Sequence, residues 1–86
     1  MAHAAPNSEV GQIAAYASAV NAINTAPTVS ARSQAITDAA KALSKAANKS
    51  VTVATVTALN TQLGLHTSTT TTKSIATQAA AMQTTR

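Results

Sequence analysis

Val51-Thr52-Val53-Ala54-Thr55-Val56-Thr57-Ala58-Leu59-Asn60-Thr61-Gln62-Leu63-Gly64-Leu65 is the stretch on which the fold turns, because its two ends point to different structures. The β-branched run Val51-Thr52-Val53 and the threonines around it favour a strand. Val53, Val56, Leu59 and Leu63 instead recur at steps of three and four, which is the spacing of one helical face. The ending decides for the helix. Gly64 is free to take a left-handed C′ position, and Leu65 can fold back onto Leu59 as the apolar companion of a Schellman cap. With Thr52 as the N-cap, a helix over 52–63 follows.

Upstream, a second helix is predicted over 30–48 from a cap at Thr28 or Ser30. Ile36, Ala40, Leu43 and Ala47 fall on one narrow face at 100° per residue. Lys41, Lys45 and Lys49 lie on the opposite face, near the negative dipole end, and Asp38 stands three residues before Lys41, close enough to pair with it. A first helix is predicted over 9–24. It follows Pro6, with Asn7 or Ser8 as the cap and Glu9 in the first turn, and Val10, Ile13, Ala17 and Val20 form a stripe that Tyr16 and Ile23 widen. Pro27 lacks an amide hydrogen and pushes Ala26 out of helical geometry, so the two helices are separated by a turn. Residues 1–8 read as an N-terminal tail.

Downstream, Thr67, Ser68, Thr69, Thr70, Thr71 and Thr72 form a polar run of low complexity and low helix propensity, read as a linker over 66–72. Ile75, Ala79 and Met82 then mark a short helix within a C-terminal arm, 73–86. No internal repeat or sustained heptad is present. The fold class that results is all-α: three to four short amphipathic helices, arranged as a small bundle or as a helical hairpin with the C-terminal arm appended. The residues expected to pack or to form an interface are Val10, Ile13, Tyr16, Val20, Ile23, Ile36, Leu43, Val56, Leu59, Leu63, Ile75 and Met82.

Such a core is thin. Of 86 residues 45% are hydrophobic, but 22 are Ala, and six Val, four Ile, four Leu, two Met and Tyr16 make up the larger side chains, without Phe or Trp. A domain this small buries only about 60% of its unfolded surface. Order that leans on the surface of an assembly partner is therefore expected.

The residue types present restrict the chemistry. The chain has no cysteine, which removes disulfides, thiolate catalysis and Cys-based metal sites. Glu9 and Asp38 are the only carboxylate side chains, on different predicted helices, so paired acid–base catalysis has no visible basis. His66, Asp38 and a serine compose a triad on paper, yet there is no Gly-x-Ser-x-Gly elbow. Gly11 and Gly64, the only glycines, belong to no phosphate-cradling loop. Met1-Ala2-His3 matches an amino-terminal copper(II) or nickel(II) motif, but trimming of Met1 would spoil the spacing, and His3 is read as a solvated tail residue. No catalytic residue, cofactor, metal or small-molecule substrate is expected.

Binding is the remaining class. Lys41, Lys45 and Lys49 make a basic ridge about 12 Å long by helical rise, which Arg32, Lys73 and Arg86 could extend toward phosphates. One aromatic residue and no arginine cluster limit this to a weak, salt-sensitive grip on nucleic acid. The longest apolar stretch, Ile13 to Ala17, is far too short to span a bilayer, and the start lacks a basic n-region and an apolar h-region, so synthesis in the cytoplasm is expected. The sequence reading is thus a non-enzymatic structural or interaction subunit that associates with protein partners or with itself. Its size and composition are compatible with a minor component of a virus or phage particle. The alternative is a small nucleic-acid-associated protein acting through Lys41, Lys45 and Lys49.

Overall fold

A computed structural model describes residues 9–47 and 50–84. Four helices follow one another: α1 (Glu9–Thr25), α2 (Val29–Ala46), α3 (Val53–Leu63) and α4 (Thr69–Thr84). Among the described residues there is no strand, and the protein is a small all-α bundle. Its radius of gyration is 12.2 Å, close to the value of about 12 Å expected for a compact chain of this length.

Each boundary has a local cause. In α1 the Thr25 hydroxyl donates back to the Asn21 carbonyl at 3.0 Å, and Pro27 then prevents continuation. Thr28 is extended and caps α2, its hydroxyl accepting from the Ala31 amide at 3.0 Å. The helix stops at Ala46, two residues short of expectation, because Ala47 is extended with ψ 135°. Thr52 caps α3 by accepting from the Thr55 amide at 3.2 Å. At the other end Gly64 sits at φ 69°, with Leu65 N–H donating to the Asn60 carbonyl at 2.8 Å and Gly64 N–H to the Thr61 carbonyl at 3.3 Å. This pair of bonds is the Schellman motif.

The segments beside α3 and α4 complete the bundle. Val51 precedes α3, as expected from a cap at Thr52, and is a buried residue whose amide donates to Gln83 Oε1 at 3.1 Å. The threonine run is not a linker over 66–72, since α4 begins at Thr69. Ser68 supplies what the low propensity of threonine lacks, accepting from the Thr71 amide at 3.1 Å and donating to Thr71 Oγ1 at 3.0 Å. Nor is α4 an appended arm: Thr72, Ile75, Ala76 and Ala79 are buried in the common interior.

Cross-links fix the topology. Asn24 at the end of α1 donates to the His66 carbonyl just before α4, at 2.9 Å. Thr37 in α2 donates to Gln78 in α4 at 3.0 Å, and Val51 meets Gln83. Accordingly α2 and α4 run in the same direction, while α1 is antiparallel to α2 and α3 to α4. The most extensive contact is α1 with α2, followed by α2 with α4, so α2 lies between the two. Ala35, Ala39, Ala40 and Ala42 on α2, Ala19 on α1 and Ala76 and Ala79 on α4 line the interior, where the absence of bulk lets backbones approach. Tyr16, Val20, Ile23, Leu43, Val51, Val56 and Ile75 fill what remains.

Candidate functional site

The basic ridge is the binding site of the alternative reading of the sequence. Lys41 and Lys45 are exposed on α2, one helical turn apart. Lys49 lies outside the described residues, as do His3 and Arg86. Asp38 is not the partner of Lys41: it accepts from Gln34 Nε2 at 3.0 Å, one turn back on the same helix. Among the described residues neither Lys41 nor Lys45 is in an ion pair, so both ammonium groups face solvent. Arg32 is exposed at the start of α2 and Lys73 on α4. Arg32 is nine residues before Lys41, which turns it to the other side of the helix, so the ridge does not extend to it.

The expected packing residues divide. Tyr16, Val20, Ile23, Leu43, Val56 and Ile75 are buried. Ile13, Ile36, Leu59 and Met82 are half-buried, the last three against the buried cluster. The side chain of Val10 lies outside the described residues. Leu63, in the last turn of α3 before the left-handed glycine, is 38% exposed.

A polar constellation lies inside the bundle. The Tyr16 hydroxyl donates to Asn60 Oδ1, joining α1 to α3. Asn60 Nδ2 donates to Thr67 Oγ1 at 3.1 Å, and Thr67 and Thr72 share a hydroxyl–hydroxyl bond of 2.7 Å that reaches α4. Tyr16 is fully buried and Asn60 is 6% exposed. Burial pushes the Tyr16 hydroxyl up to about 12, since the phenolate would lose its water. Tyr16 is therefore a neutral donor, and the chain of bonds ties three helices together. Among the described residues no buried side-chain polar atom lacks a partner.

Sequence reasoning took Tyr16 as apolar packing and passed over Asn60. The signal was present: Asn60 stands four residues after Val56 and one after Leu59, on the apolar face of α3, and an amide on such a face needs hydrogen-bond partners. A shallow polar recess of about 190 Å³ adjoins the network, lined by Thr57, Asn60, Thr61, Leu65, His66, Thr67 and Thr72. A second, of about 340 Å³, runs along α4 beside Lys73 and Gln78. Among the described residues no group of three or more His, Cys, Asp or Glu side chains is placed to hold a metal ion, and no helix is long and apolar enough to cross a membrane. In comparison with known proteins, no family model, no curated protein and no solved structure matches the chain.

Proposed function

We propose that the chain is a non-enzymatic structural or interaction subunit that works by association, with itself or with a protein partner. The observation that carries this reading is where its few large apolar side chains go. In a chain with so few of them, Val29, Val53 and Leu63 are 76%, 41% and 38% exposed. Burial against a neighbour would recover about 25 cal/mol for each Å² of apolar surface removed from water. The internal polar groups support the same reading, because Tyr16, Asn60, Thr67 and Thr72 are engaged with one another across three helices. A minor component of a virus or phage particle is the finer form of the proposal, and it rests on size and composition alone.

Sedimentation equilibrium from about 1 to 100 µM, the range in which weak self-association appears, tests the self-associating form. The mass of the native chain is expected to rise with concentration, and that of the chain carrying Val29→Gln, Val53→Gln and Leu63→Gln to stay monomeric. A native chain that stays monomeric throughout, with no protein partner whose binding those three changes weaken, would remove the proposal.

The second reading, a nucleic-acid-associated protein, is favoured by one observation: Lys41 and Lys45 are exposed side by side, with no ion pair among the described residues. Two or three phosphate contacts give an affinity that falls with salt at a logarithmic slope of about −2 to −3. Fluorescence anisotropy with a labelled duplex checks this. Unchanged binding by the chain carrying Lys41→Gln and Lys45→Gln would count against the ridge.

A further inference from the structure

α3 is attached differently from the other helices. α1, α2 and α4 are joined through extensive contacts, α1 on α2 and α2 on α4, whereas α3 packs mainly on α4 and makes no extensive contact with α1 or α2. Val56 and Asn60 are its only buried residues, and one of these two is polar. Its link to α1 is the hydrogen bond from Tyr16 to Asn60. Both of its caps are local, since the Thr52–Thr55, Asn60–Leu65 and Thr61–Gly64 bonds lie within the segment 52–65. At one end stands Gly64, at φ 69° and with open space where a side chain would sit, the conformationally freest residue of the segment. At the other end Val51 is tethered by its amide to Gln83 of α4.

We propose that α3 is a hinged cover that lifts off the three-helix core made by α1, α2 and α4 while that core stays folded, uncovering Tyr16 and the buried surface under Val56. Opening leaves intact the α1–α2 and α2–α4 contacts, including the bond between Thr37 and Gln78. Once detached, an 11-residue helix is too short to persist in water, so its amides exchange each time the cover lifts. The proposal makes an unusual demand. Chain ends ordinarily open first, yet here an internal helix opens before the C-terminal one, because α4 holds Ile75 and Ala79 fully buried.

Native-state hydrogen exchange on the intact chain, followed residue by residue by NMR in low urea, tests it. Amides of residues 56–63 are expected to be at least about 10-fold less protected than those of residues 39–43 and 75–79, with a weaker dependence on urea, as befits a partial opening. Equal protection and equal urea dependence in all four helices would overturn the proposal. So would α4 losing protection together with α3, since the moving part would then be the whole α3–α4 hairpin.

Discussion

Asn60 shows how much one polar residue can decide in a small bundle. It is the meeting point of α1, α3 and the segment before α4, accepting from Tyr16 and donating to Thr67. Replacing it by Leu leaves the buried Tyr16 hydroxyl without its acceptor, and such an orphaned group costs about 1–3 kcal/mol. Asn60→Leu should therefore lower stability by that amount in urea unfolding. Tyr16→Phe should cost less, and the double variant less than the sum of the two, because the second change removes the group the first one stranded. Additive losses would mean that the two side chains do not act as a pair.

Tyr16 also gives the protein a pH dependence of known sign. Its hydroxyl titrates at about 12 in the fold against 10.0 in the unfolded chain. The unfolded chain loses its proton first, so stability from this group is whole below pH 10 and is lost as pH rises to 12. The loss approaches 2–3 kcal/mol, from about 1.4 kcal/mol per pKa unit. Lysines titrate in the same range, but Tyr16→Phe keeps them all. Its stability should fall less between pH 10 and 12 than that of the native chain, and parallel curves would refute the assignment.

At the scale of the element, the two ends of α3 were legible and the start of α4 was not. The α3 caps could be read from Thr52 and from Gly64-Leu65 because each depends on a local conformational rule, a hydroxyl reaching an amide in one case and a left-handed glycine in the other. Gly64→Ala puts that rule to a measurement. Space is open around Gly64, so the cost is conformational alone, about 1 kcal/mol for a side chain held at positive φ. The melting temperature should fall by about 4–8 °C. No change would mean that the cap is not maintained in solution. The start of α4 could not be read in this way. Propensity argues against four successive threonines, and what overrides it is Ser68 at the cap and the bond between Thr67 and Thr72. The second of these comes from the Asn60 network, which no local pattern reveals.

At the scale of the whole molecule, the all-α class was legible, but which alanines build the interior was not. Composition presented 22 alanines as a deficit of core. In the fold, alanines on α1, α2 and α4 form the interior lining, and α2 carries four of them that are buried. Alanine cannot announce this from sequence, because it suits exposed and buried helix positions equally well. If close approach of small side chains is what holds the bundle, added bulk must destabilise it at buried alanines and not at exposed ones. Ala39 is fully buried in α2, and Ala22 is exposed on α1. Ala39→Leu gains apolar volume, which in a loosely filled core would stabilise. In a tightly apposed one it forces the helices apart, at about 1–3 kcal/mol. Ala22→Leu should stay within about 0.5 kcal/mol of the native chain. Urea unfolding of the two variants side by side measures the difference, and a stabilising Ala39→Leu would show that the alanines mark vacant space instead of close contact.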